Sequence, residues 1–130
     1  MTPWQGGYKY FSAAEMECKC GCGGLPSHEL MVFLMDMREE AQFSFPISSG
    51  YRCPEYNQQV SSSGPDGPHT QAAADIKVYG ERAREVVKLA IKYGAEGIGI
   101  SQKGIMKSRF IHVDKAVIPA RGGQKAFWSY

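Results

Sequence analysis

The chain has 130 residues, 43% of them hydrophobic and 22% charged, with a formal net charge of +2 at pH 7. That length and apolar content predict one domain, residues 1–130, with a buried core, and they exclude a disordered chain. Lys and Arg are dispersed along the sequence and nearly balanced by Asp and Glu, which argues against nucleic acid as a partner.

No apolar run is long enough to span a bilayer. Met1 to Tyr10 is polar, aromatic and glycine-containing, not basic and then apolar, so it does not read as a secretory signal. The expectation is a monomer made and folded in a cytoplasm, released by another route if it acts outside the cell.

Ser12-Ala13-Ala14-Glu15 has the form of a capping box and predicts a short helix from Ala13, ending in the stretch Gly21 to Gly24. Ser27 caps a longer helix to about Gln42, with Leu30, Phe33, Leu34, Met37 and Ala41 at helical spacing as its buried face. Met31, Met35 and Met37 read as core packing in preference to an adaptable binding surface. Phe45 to Ser48 reads as an edge strand because of Pro46. Gly50 to Cys53 turns the chain, and Pro54 opens a short helix over Glu55 to Val60.

Ser61 to Pro68 is a loop, Ala73 to Val78 a strand, and Arg82 to Tyr93 an amphipathic helix stopped by Gly94. Val86, Leu89, Ala90 and Tyr93 face inward on that helix. Gly97 to Ile100 and Phe110 to Asp114 are two further strands, joined by a hairpin loop around Gly104. Interspersed helices and strands without strict alternation predict an α+β fold with a small, mainly antiparallel sheet and helices packed on it.

The four cysteines are Cys18, Cys20, Cys22 and Cys53. Cysteines two apart bridge each other poorly, so a disulfide is expected to run from the cluster to Cys53 unless the thiols stay packed. The competing reading is a second, structural zinc held by all four, set behind the first because zinc motifs usually carry a two-residue gap. No base stands near the cluster in sequence, so a cysteine nucleophile is not expected.

His28, His69 and His112 are the only histidines. His28 falls in the first turn of a helix and reads as a surface residue. His69 leaves the loop, Asp75 lies in the following strand, and His112 lies mid-strand. Two histidines and a carboxylate make a three-ligand zinc site with a position left for water. The competing reading of the same residues is a loop histidine and a packed strand histidine.

Motif context bears on that choice. Ser48-Ser49-Gly50-Tyr51-Arg52-Cys53-Pro54-Glu55-Tyr56-Asn57 resembles the S-G-Y-R-x-P-x-x-N signature of the zinc D-alanyl-D-alanine peptidases, whose wider group includes lysostaphin-like enzymes and the hedgehog signalling domain. Gly67 to Ile76 resembles that family's S-x-H-x-x-G-x-A-x-D, and Arg109-Phe110-Ile111-His112-Val113-Asp114 its closing F-[IV]-H-x-D strand. Gly97-Ile98-Gly99-Ile100 and Phe127-Trp128-Ser129-Tyr130 are similar to short phage-encoded members.

The resemblance implies a hedgehog/DD-peptidase-like fold and one catalytic zinc on His69, Asp75 and His112. It also implies a peptidoglycan peptide substrate, cut by a carboxypeptidase or endopeptidase that acts as a phage lysin or as part of a virion. Arg52 matches the arginine that contacts the substrate's carbonyl or carboxylate. Tyr51 reads as structural, and Asn57 as support for the loop that carries His69.

The chain departs from the family pattern in two places. His69 and Asp75 are six apart where the family has seven, and the motif glycine is missing, with Ala72 or Ala73 near its place. The shorter spacing is tolerated if the loop tightens and the strand keeps its register, whereas a one-residue slip turns Asp75 to the other face. Relatives carry a base as Glu three positions, or His two positions, before the last histidine, where Arg109 and Phe110 stand here. Strand alternation puts Asp114 on the face of His112, either as the base or as a carboxylate that orients a ligand. A catalytically inactive zinc-binding or wall-binding module on the same fold is the alternative function.

Overall fold

A computed structural model describes residues 7–62 and 64–130. The sequence reading of Met1 to Tyr10 falls in part on residues 1–6, which lie outside the described residues.

Helix α1 (Ala13–Met16) begins with the reciprocal pair foreseen at Ser12. The Ser12 hydroxyl accepts from the Glu15 amide at 3.3 Å, and the Glu15 carboxylate accepts from the Ser12 amide at 3.1 Å. It lasts one turn and stops well before Gly21, because the Met16 carbonyl accepts from Tyr51 N–H at 2.9 Å and Glu17 turns extended. Helix α2 (His28–Ala41) is capped by Ser27 and buries Leu30, Met31, Phe33, Leu34 and Met37. Gln42 ends it in the left-handed conformation, at φ 61°.

Strand β1 (Ile47–Ser49) starts two residues later than the pattern at Phe45 suggested. Pro46 has no N–H for a ladder, although its carbonyl takes the Lys77 amide at 2.7 Å. Helix α3 (Pro54–Val60) follows, with Pro54 in its first turn. Then comes a turn not foreseen in the sequence, α4 (Pro68–Gln71), which carries His69. Strand β2 (Ala73–Ile76) is shorter than expected and fully buried. Helix α5 (Gly80–Lys92) buries Ala83, Val86, Leu89 and Ala90. Strands β3 (Gly97–Ser101) and β4 (Phe110–Asp114) form the expected antiparallel hairpin. Strand β5 (Ala126–Ser129), not anticipated, closes the edge.

The sheet order is β1-β2-β4-β3-β5, antiparallel except for the β3–β5 pair. The fold is α+β, and β1 lies at an edge as its proline suggested. Side chains alternate across a strand, so the sheet has two distinct faces. Ala74, Ile76, Ile98, Ile111 and Val113 join Leu30, Leu34, Met37, Val86 and Leu89 in the hydrophobic core. Asp75, His112 and Asp114 alternate with these residues and point to the opposite face.

Candidate metal centre

Register puts the site together. Asp75 on β2 lies opposite His112 on β4, and Gly99 on β3 flanks His112 from the other side. With the short His69–Asp75 spacing, β2 still pairs in the register that sets Asp75 opposite His112. Ala72 N–H closes the α4 turn on the Pro68 carbonyl at 2.8 Å, and β2 begins at the next residue.

His69, Asp75 and His112 are all buried, and one ligand atom from each lies within 4.8 Å of the others. Asp75 Oδ1 stands 3.3 Å from His69 Nε2 and 3.0 Å from His112 Nδ1. The far nitrogens are tied elsewhere. His69 Nδ1 meets the Gly50 carbonyl at 2.8 Å, and His112 Nε2 meets Asp114 Oδ2 at 2.8 Å. Each imidazole therefore donates its outer N–H to a fixed acceptor and aims its inner nitrogen at the same point. Two nitrogens and a carboxylate oxygen, buried and convergent, are a donor set suited to a divalent transition-metal ion. The residues present fit such an ion.

Electrostatics favour the charged carboxylates. Burial opposes ionisation of Asp75, yet His112 and His69 hold its carboxyl below the usual range. Burial likewise opposes the Asp114 anion, but Arg121 and His112 bring its pKa down to about 2. Burial works against the His112 imidazolium, and Asp114 and Asp75 outweigh it and raise the pKa.

Asp114 is fully buried behind His112 and takes four hydrogen bonds. Arg121 donates through both terminal nitrogens, at 2.8 and 2.9 Å, and Ala116 N–H donates at 3.2 Å beside the His112 contact. It does not line the cleft, a space of about 260 Å³ with Arg52, His69, Asp75, Phe110, His112, Trp128 and Tyr130 among its walls. Arg52 is held by Ser49 Oγ at 3.2 Å and Asn57 Oδ1 at 3.4 Å. Among the described residues, no carboxylate lies within ion-pair distance of it. Asn57 is buried and donates to the Gly64 carbonyl at 2.7 Å, in the loop that leads to His69.

Arg109 turns away to the Gly104 carbonyl, at 2.9 and 3.1 Å. His28 is exposed and pairs with Tyr8, so it takes no part.

Sequence reasoning did not single out Gly50, Arg121, Trp128 or Tyr130 as site residues. The signal nearest to them is the alternation Gly97-Ile98-Gly99-Ile100. A Cβ on Gly97 would lie 2.3 Å from Asp114 Oδ2, and one on Gly99 would lie 2.6 Å from the Trp128 indole. The two glycines clear the site face for these side chains, while the isoleucines fill the core.

A buried His/Asp/His set in a cleft that an arginine borders makes a candidate metal centre on an α+β fold. Residues 9–114 match the family model described as Peptidase M15, and the chain belongs to this family of zinc D-Ala-D-Ala carboxypeptidase-like metallopeptidases. No curated protein and no solved structure matches the chain. The matched span holds Arg52, His69, Asp75, His112 and Asp114. Arg121, Trp128 and Tyr130 lie beyond it.

Proposed function

We propose that this chain is a zinc-dependent peptidase that hydrolyses an amide bond in peptidoglycan peptides. The observation that carries the reading is the convergence of His69 Nε2, Asp75 Oδ1 and His112 Nδ1 beneath the cleft that Arg52 borders. Zinc bound there supplies the Lewis acidity that activates water and polarises the scissile carbonyl.

The chain's own residues do the positioning. The Gly50 carbonyl and the Asp114 carboxylate fix the tautomers of His69 and His112, so both inner nitrogens offer lone pairs without rearrangement. Burial of Asp114 and the engagement of its oxygens by Arg121 and His112 support a role in orienting His112 over a role as the base. Arg52 takes a terminal carboxylate in a carboxypeptidase or a backbone carbonyl in an endopeptidase, and stabilises negative charge as it develops. Trp128 and Tyr130 wall the cleft and limit water. The protein acts on the wall as a monomer after release from a cytoplasm or as part of a virion, in the manner of a phage lysin.

One observation favours a second reading, an inactive zinc-binding or wall-binding module. Among the described residues, Asp75 is the one carboxylate lining the cleft, so no separate acid or base group of that type faces a substrate.

The test pairs zinc stoichiometry with digestion of purified peptidoglycan, released peptides being read by mass spectrometry. His112→Ala is expected to lose the histidine-bound zinc and all peptide release. A variant that cuts without zinc would overturn the main reading. A wild-type protein with zinc on the histidines that releases no peptide supports the second.

A further inference from the structure

Away from the cleft, four thiols meet. Cys18, Cys20 and Cys22 lie on the bend after α1, and Cys53 caps α3. One sulfur from each lies within 4.8 Å of the others. Cys18 Sγ stands 3.4 Å from Cys20 Sγ, and Cys20 Sγ 3.6 Å from Cys53 Sγ. A disulfide needs about 2.05 Å, and all four cysteines are free, so the expected bridge from the cluster to Cys53 is not formed. Four sulfurs about 2.3 Å from a tetrahedral zinc stand about 3.8 Å apart, close to the separations found.

The C-x-C-x-C spacing lacks the two-residue gap usual in zinc motifs, and the folded bend makes up for it. In an extended chain, alternate residues share a face but sit about 6.6 Å apart. Here Gly21 and Gly23 adopt φ of +87° and +80°, which curls the bend and brings the thiols together. Backbone amides point at the sulfurs as well. Cys53 N–H approaches Cys18 Sγ at 3.3 Å, Tyr56 N–H approaches Cys53 Sγ at 3.4 Å, and Gly24 N–H approaches Cys22 Sγ at 3.4 Å. Such donors stabilise thiolates and orient them as ligands.

We propose that Cys18, Cys20, Cys22 and Cys53 form a second, structural metal site that takes one Zn²⁺ as a four-thiolate centre. Four protein ligands close the coordination sphere, so the site has no position for substrate. Binding replaces four thiol protons, which leave to solvent, with the ion. Cys20 and Cys22 are exposed and provide the entry path.

The placement gives the site a task. It clamps the bend after α1 to the segment Gly50–Cys53, already laced by Tyr51 N–H to the Met16 carbonyl at 2.9 Å. That segment supplies the carbonyl holding His69 and carries Arg52. Metal at the cysteines therefore fixes one wall of the cleft.

The experiment uses the full, reduced chain loaded with zinc or with cobalt as a spectroscopic substitute. Wild type is expected to hold two metal ions per chain, and cobalt to show thiolate-to-metal charge-transfer absorption in the near ultraviolet. His112→Ala is expected to keep one ion, the absorption, and a zinc-induced rise in melting temperature. The double variant Cys20→Ser/Cys22→Ser is expected to keep one ion and lose the absorption. Failure at the histidines alone would sink the peptidase reading and leave this site intact. The decisive measurements need no cysteine variant. Cobalt-loaded wild type without thiolate absorption overturns the proposal, and so do four thiols that react with an alkylating reagent as fast with zinc as without it.

Discussion

His112 uses both ring nitrogens, with Nδ1 beside Asp75 and Nε2 on Asp114. The outer contact decides what the inner nitrogen can do, since a carboxylate that accepts Nε2–H leaves Nδ1 as the ligand atom. Arg121 anchors that carboxylate in turn. Asp114→Asn keeps the shape and weakens the charge-assisted contact, so zinc affinity should fall about 10–100-fold by calorimetric titration. Unchanged affinity with abolished turnover would instead identify Asp114 as the base. The Arg52 guanidinium bonds to Ser49 and Asn57 and to none of the three site side chains, and only its backbone N–H reaches the site, at the His69 carbonyl. Arg52→Ala should therefore leave zinc content unchanged while lowering kcat about 10²–10³-fold, the loss typical of one donor to developing charge.

At the scale of elements, β3 shows how a strand serves two layers. Its isoleucines enter the core, and its glycines leave room for the side chains of β4 and β5. Gly99→Ala sets a methyl group against the Trp128 ring, which must move or strain the β3–β5 pairing. Overpacking of this kind should cost about 1–3 kcal/mol in urea unfolding, with a change in indole fluorescence as the ring shifts. Helix α2 was legible in the sequence because its signals are local: Ser27 at the cap and apolar residues three and four apart. Strand β5 was not, because its partner is the parallel β3, with Ala126 set against Gly97 across a hairpin and a turn. Nothing within Ala126–Ser129 announces that pairing.

Across the whole molecule, one face of the sheet carries the core and the other carries the candidate ligands Asp75 and His112, so site geometry and folding share the same strands. An ion bound to the histidine centre should stabilise the native state. At a free zinc concentration a hundredfold above Kd the gain is about 2.7 kcal/mol, provided the unfolded chain does not compete. Differential scanning calorimetry should register that increment in the wild type, and His112→Ala should lose it while keeping the smaller zinc-induced rise that the thiol site contributes. The described helices include none long and apolar enough to cross a membrane. Among the described residues, the groups that could hold a metal ion are the histidine set and the thiol cluster.

By itself the sequence determined the features that depend on near neighbours. It specified the capped helices, the parity that puts His112 and Asp114 on one face, and the residue types of the ligand set, read from three ordered motifs. The tertiary structure alone decided whether Asp75 would reach that face, because the register of β2 against β4 sets it. It also decided which nitrogen of each histidine points inward, since the Gly50 carbonyl and Asp114 arrive from distant segments. The convergence of Cys53 with the cluster around Cys20 lies in the same class. Capping and alternation act over a few residues, whereas register, tautomer and ligand convergence are set by pairing between parts of the chain far apart in sequence.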